Sequence, residues 1–416
     1  MKSLAILGQR LRFGGAYAKS FNVVCMSAGM CPRIFVEIDG SWFGVDGLIE
    51  VHGGLTAEFW RELDGCRLRY RRKPIRFRVG DPYWILLAEY VDGDGDLTGE
   101  AGIRFYDEER ETVKLLRKAV SQYTEYELPN PFYWTNQYGR GEWAVQTRHS
   151  ALHFVLNKFY QIPVGKKKRT FTISPRVKTS NSLEEKYAAV AGWISSEGYV
   201  NYRQAHGRFS TIIGVVSTVN EERAKAIHST LQSLGYHPYV TSSTYPNPFT
   251  GKPVTQFTTA IRRHNEVISL FFHMFPYMVK PSRVRKWMAL LREEAFYRRI
   301  RLWSKALPEL LRKGAIAMSG SRYRYLHIIE QLAEKYGIVV ERWGGVKHWT
   351  RCDEHTSIPL PIVAECCRIL REDPFNYIPR EFAPVLWAQA VINYNELVKL
   401  RETTPLINLS EMLRSL

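Results

Sequence analysis

The chain has 416 residues, 45 % of them hydrophobic and 13 % aromatic, with a formal net charge of +17 and a pI near 9.5. That length is too great for one ordinary core, so two to four structural units are expected, and the apolar content excludes a largely disordered chain. The charge favours a polyanionic partner over a membrane: lysines and arginines displace condensed counterions from phosphate backbones, and no apolar run of membrane-spanning length or signal peptide occurs. A cytoplasmic, nucleoid-associated protein is therefore expected.

Residues 1–80 read as a β-rich basic extension with candidate strands Phe35–Ile38 and Arg67–Val79. In the second of these, Arg67, Arg69, Arg71, Arg72, Lys73, Arg76 and Arg78 fall mostly at strand period, a stripe suited to phosphate contacts. Pro82–Val91 is a strong apolar helix candidate, and it runs into Leu87-Ala88-Glu89-Tyr90-Val91-Asp92-Gly93-Asp94-Gly95. The Asp92–Asp96 stretch mimics the opening of an EF-hand loop. That reading fails because Leu97 and Ile103 stand where the loop needs glycine and a bidentate glutamate. A hairpin over Asp96–Tyr106, a helix opening at Asp107-Glu108-Glu109-Arg110 and ending near Gln122, and strands Phe132–Gln137 and Glu142–Thr147 come next. An apolar helix then opens at His149 and leads to Pro163-x-x-x-Lys167. Residues 174–182 are a polar linker.

From Leu183 the same order starts again. Val190-Ala191-Gly192-Trp193-Ile194-Ser195-Ser196-Glu197-Gly198 is a second apolar helix closed by an acid and a glycine, with residues 187–197 expected to lie beside 84–94. A hairpin of Tyr199–Gln204 and Phe209–Thr218 follows, then a helix capped at Asn220-Glu221-Glu222-Arg223 that stops at Leu234-Gly235. Strands Tyr239–Tyr245 and Thr255–Ile261, a helix from His264 and Pro276-x-x-x-Lys280 complete the unit. Residues 81–173 and 183–295 thus both read α-β-β-α-β-β-α, an internal duplication. The interval from motif acid to next helix is ten residues longer in the second copy. A second basic stripe, including Arg283, Arg285, Lys286 and Arg292, closes this copy. Residues 296–416 look mainly helical, with an amphipathic pattern near Tyr323–Tyr336 that could serve an extra DNA-binding unit. Six cysteines (Cys25, Cys31, Cys66, Cys352, Cys366, Cys367) form no CxxC pair and read as mostly core thiols. The group His348, Cys352 and His355 is read as a solvated segment, with a structural zinc as the weaker alternative.

The small residues Ala88, Ala191, Gly192 and Ser196 would let two helices approach closely, bringing Asp94 and Glu197 together at their ends. Two converging carboxylates suit a hard cation, Mg²⁺ or Mn²⁺, which lowers the pKa of an attacking water in phosphodiester hydrolysis. Lys167 and Lys280, at equivalent places in the copies, could stabilise the charge developing on a scissile phosphate or help position the water, with Lys166 and Lys168 competing for the role in the first copy.

Both nine-residue stretches resemble the signature of the LAGLIDADG homing endonucleases, the second closely at Ala191-Gly192, Ile194 and Glu197-Gly198. Ile162-Pro163-Val164-Gly165-Lys166-Lys167 is also similar to a segment common in archaeal and intein-borne members. The resemblance covers roughly residues 81–295. It implies an α+β fold of tandem pseudo-twofold αββαββα repeats, a saddle whose sheets enter the major groove of double-stranded DNA. It also implies that Asp94 and Glu197 hold the catalytic metal, in a monomeric, site-specific, Mg²⁺-dependent double-strand endonuclease. Glu89 departs from the small residue usual in the first motif, so packing there is expected to be looser or rotated. Ser195 replaces an acid in the second motif without removing a ligand. The ends of the chain do not resemble an intein, which favours a free-standing or intron-encoded protein. Expected base contacts are Asn201, Arg203, Gln204, Arg208, Ser210 and Thr211 in the second copy and Asn136, Gln137, Arg140 and Gln146 in the first. The alternative is a nucleic-acid-binding protein on the same scaffold without cleavage, either an RNA maturase bound to intron RNA or a domesticated regulator.

Overall fold

A computed structural model describes residues 34–70, 73–99, 101–135, 139, 141–165, 171–205, 208–247, 251–286, 299–301, 313 and 357–378. The fold is α+β with antiparallel sheets. Two compact units are present: residues 1–198, 215–235 and 239–259 form one, and residues 199–214, 236–238 and 260–416 the other.

Strands β1 (Phe35–Ile38), β2 (Ser41–Gly44), β3 (Arg67–Tyr70) and β4 (Lys73–Arg76) form a sheet in the order β2-β1-β3-β4. Between β2 and β3 the expected β-rich region instead contains α1 (Val45–Val51) and α2 (Ala57–Glu62). Thr56 starts α2 by accepting a hydrogen bond from Phe59 N. Phe59 and Trp60 on α2 and Phe77 beyond β4 interlock with Trp84, Phe154 and Phe159, with ring centroids 4.9–6.5 Å apart. The N-terminal sheet and its helices therefore share a core with the elements that carry Trp84, Phe154 and Phe159.

Helix α3 (Pro82–Asp94) begins where the sequence predicts. Asp81 caps it by accepting from Tyr83 N at 2.9 Å, and Pro82 occupies the first turn, where its missing N–H costs nothing. Every residue from Tyr83 to Asp92 is buried, so the helix is enclosed on all sides. Next come β5 (Gly95–Thr98), β6 (Gly102–Asp107), α4 (Arg110–Thr124), β7 (Phe132–Thr135), β8 (Gly141–Arg148) and α5 (Ser150–Phe154), in a sheet ordered β5-β6-β8-β7. Helix α4 starts two residues later than its acidic signal predicts, because Asp107 makes a tight turn to Glu109 N (2.7 Å) and accepts the Tyr90 hydroxyl (2.9 Å). A π-helical turn, Val155–Phe159, extends α5.

After α6 (Pro175–Thr179), helix α7 (Leu183–Ser196) is capped by Ser182. Its Glu185 is buried and bound by Arg176 (2.7 Å) and the Ser180 hydroxyl. The elements after α7 are β9 (Tyr199–Ala205), β10 (Arg208–Thr218), α8 (Glu221–Ser233), β11 (Tyr239–Pro246), β12 (Pro253–Ile261) and α9 (His264–Met274). Their sheet order is β9-β10-β12-β11, the same first-second-fourth-third sequence as β5-β6-β8-β7. Asn220 caps α8 through Arg223 N (3.2 Å), and Gly235 adopts positive φ after the helix, as expected of a C-terminal stop.

Beyond residue 286 the description includes β13 (Arg299–Arg301) paired with β14 (Ser357–Pro359) and α10 (Leu360–Leu370). The expected helix near 323–336 and the His348, Cys352 and His355 group lie outside the described residues. No helix among the described residues is long and apolar enough to cross a membrane.

Candidate functional site

Helices α3 and α7 meet backbone to backbone. A Cβ built on Gly192 would lie 3.1 Å from Glu89 Cβ, 3.3 Å from Leu86 O and 3.4 Å from Tyr90 N. One turn further along, a Cβ on Gly93 would overlap the Ser196 side chain and come within 3.6 Å of Glu197 Cγ. Small residues at these crossings are what bring the two motif ends together. Asp94 is the last residue of α3, and Glu197 caps α7, its N–H bonded to Trp193 O at 2.9 Å. Both are half-buried. Gly95 is required by space: a Cβ there would lie 2.6 Å from Arg104 O and 2.9 Å from Val91 Cα.

Glu89 does not loosen this contact. It is fully buried, accepts from Trp193 Nε1 (2.6 Å) and Ser174 N (3.2 Å), and so joins both motif helices to the segment before α6. Burial raises its pKa, partly offset by Arg223 and by those hydrogen bonds.

A second buried charge group was not legible in the sequence. Arg223 on α8 is 5 % exposed; it pairs with Asp92 of the first motif, donates to Thr172 O (3.2 Å) and lies 3.5 Å from Glu197 of the second. Burial pulls its pKa down and Glu89 counters that shift. The duplicated Asn-Glu-Glu-Arg and Asp-Glu-Glu-Arg helix starts contained the signal, but they disclose a helix cap, not a charge partner 131 residues away.

Asp94 has different neighbours. The Tyr106 phenol is pushed up to about 12, by burial first and then by Asp94 and Asp96. The Tyr90 phenol is raised for related reasons: burial, then Asp107 and Asp94. Asp96 accepts from Arg104 at 2.5 Å, and the Arg104 guanidinium lies 4.9 Å from the Trp134 ring. The register Asp96↔Arg104↔Gln146 places these three in one row across β5, β6 and β8, with Gln146 exposed.

Of the other expected site residues, Asn201 is exposed on β9, and Arg203, Gln204, Arg208, Ser210 and Thr211 fall on the paired strands β9 and β10. Arg71, Asn136, Gln137, Arg140 and Lys167 lie outside the described residues. Lys280 is half-buried, as is Arg283; Arg285 is exposed; all three belong to the unit containing residues 260–416. The N-terminal basic stripe is partly neutralised internally. Arg67 and Arg76 both bind Glu125, at 3.1 and 2.5 Å, and Arg69 lies 4.2 Å over the Trp42 ring.

Among the described residues no group of three or more His, Cys, Asp or Glu side chains is placed to hold a metal ion. Two carboxylates from separate helices still fit Mg²⁺, which retains waters and takes one or two protein carboxylates together with substrate phosphates. The two carboxylates by themselves are of the hard-oxygen type that a hard cation takes.

No protein-family model matches the chain, and no curated protein matches it.

Proposed function

We propose that the protein is a site-specific, Mg²⁺-dependent double-strand DNA endonuclease of the LAGLIDADG type, with the two αββαββα copies related by a pseudo-twofold axis. The observation that carries this reading is the close crossing of α3 and α7 at Gly192 and Gly93, which sets an acid from each helix at the same end of the pair. The repeated sheet order and the net charge of +17 support it further.

In this reading Asp94 and Glu197 hold divalent metal, and the metal supplies acidified water and charge stabilisation at the leaving oxygen. The close helix crossing brings the backbones that bear the two acids together. Lys167 and Lys280 are assigned to the charge developing on the two phosphates. In this reading the exposed Asn201 of β9 and Gln146 of β8 are candidates to bond base edges in the major groove.

The ion pair between Arg223 and Glu197 favours the second reading, a nucleic-acid-binding protein without cleavage, because it balances that acid internally. One experiment separates the two. The purified protein is incubated with a plasmid library of randomised inserts and Mg²⁺, and cut ends are sequenced. The endonuclease reading expects discrete sites, with Asp94→Asn and Glu197→Gln losing cleavage but retaining DNA affinity. Binding without any cut by the wild-type chain would establish the second reading instead.

A further inference from the structure

Two pairs of corresponding positions are used differently in the two copies. Arg223 and Arg110 both close the acidic start of the helix that follows the first hairpin of their copy. Asp92 and Ser195 hold the same place in their motifs, two residues before the final acid. Arg223 is buried between Asp92 and Glu197, whereas Arg110 is exposed with its guanidinium 4.6 Å from the Trp143 ring. Thr172 O and the Asn220 cap hold the Arg223 backbone and side chain in place, and Asn220 is itself anchored by donating to Phe171 O at 2.7 Å. One guanidinium therefore ties the end of the second motif to the first motif, and among the described residues no such tie comes from Arg110.

We propose that Arg223 is a positioning residue for Glu197: its guanidinium, fixed by hydrogen bonds to Asp92 and Thr172 O, lies 3.5 Å from Glu197 Oε2 as an ion pair without a hydrogen bond and steers that carboxylate toward the divalent cation, so the two acids of the site are unequally preorganised. The inference rests on the endonuclease reading for its cation, but it concerns a residue that this reading leaves without a role. A planar guanidinium can reach Asp92 and Glu197 together; a lysine ammonium cannot match both directions. Groups that orient a metal ligand are typically worth 10–100-fold in metal affinity.

Two readouts test it. Mn²⁺ binding to the full chain without DNA is followed by loss of the free-ion EPR signal, and DNA cleavage is followed as a function of Mg²⁺ concentration. Arg223→Lys should weaken Mn²⁺ binding about tenfold or more and raise the Mg²⁺ midpoint in parallel, with metal-free DNA affinity unchanged. Arg110→Lys should change neither. Removing one member of a buried ion pair can prevent folding, so a second variant, Asp92→Leu with Arg223→Met, replaces both charges with apolar groups that such sites often tolerate. It should show the same weakened Mn²⁺ binding. Wild-type Mn²⁺ affinity in either folded variant, or no saturable Mn²⁺ binding by the wild-type chain, would overturn the inference. A wild-type chain that binds Mn²⁺ yet cuts no DNA would overturn the endonuclease reading, while the Mn²⁺ titrations of the variants would still decide the role of Arg223.

Discussion

Gly192 sets how closely the two motif helices can approach, and its substitution gives a graded test. Alanine would place Cβ 3.1 Å from Glu89 Cβ and 3.3 Å from Leu86 O, where ordinary contacts lie at 3.4–4 Å. Both neighbours are fixed by backbone, so the helices must part by a few tenths of an ångström. Overpacking of this kind costs about 1–3 kcal/mol. Replacing a helical glycine by alanine returns about 1 kcal/mol through backbone entropy. Gly192→Ala should therefore destabilise by about 0–2 kcal/mol. Valine adds two more carbons where no space exists and loses part of the helix gain, so Gly192→Val should cost about 3 kcal/mol. The assay is urea unfolding followed by the fluorescence of the buried Trp84 and Trp193, with cleavage measured on the same samples. Cleavage should fall more steeply than stability along the series, because parting the helices also separates Asp94 from Glu197. A valine variant within about 0.5 kcal/mol of wild type, the spread ordinary surface changes show, would refute the close crossing.

Two other outcomes are expected. Glu89 has a raised folded pKa, so its stabilising contribution is complete below the ordinary glutamate range and is lost as pH rises through the folded value. In Glu89→Gln the side-chain amide does not titrate and offers one acceptor oxygen where Trp193 Nε1 and Ser174 N need two. The stability gap between wild type and this variant, measured by denaturation from about pH 4.5 to about pH 8.5, should thus be widest at the acid end; a constant gap would show that Glu89 keeps its ordinary pKa. In the second copy the first hairpin has strands of seven and eleven residues, against four and six in the first copy. Each base contact contributes about 1–3 kcal/mol of discrimination, so substitutions in the half-site under residues 199–261 should reduce cleavage more than those in the other half, and a symmetric scan of a cleaved target would contradict this.

Both motif helices and the hairpin pairs were legible because each leaves a local mark: the apolar run from Pro82 and the one through Val190 to Ile194, the Asn220 start and the Gly235 stop, and the turn-rich stretches between strands. Helices α1 and α2, seven and six residues long, are shorter than the stretch of about eleven residues over which helical periodicity can be read, and α1 contains Gly47, a poor helix former. The π-helical turn after α5 has no recognisable pattern at all. Asp94 and Glu197 could be picked out because duplication marks them. Arg223 and Asp92 could not, since the pairing of two buried charges depends on tertiary placement that neither residue's neighbours encode. Glu89 was visible as an anomaly, and only the structure shows the indole N–H that satisfies it.

The interlocked rings Phe59, Trp60, Phe77, Trp84, Phe154 and Phe159 bear on how small a working version of this protein can be. A fragment starting at Asp81 would keep both motifs and both sheets but strip Trp84, Phe154 and Phe159 of their ring contacts with Phe59, Trp60 and Phe77. It would present fresh apolar surface at the base of α3, the helix that ends in Asp94. Trimming to the duplicated core should therefore yield an aggregating product, and transplanting that core into another protein requires carrying the N-terminal sheet and α2 along as its built-in lid.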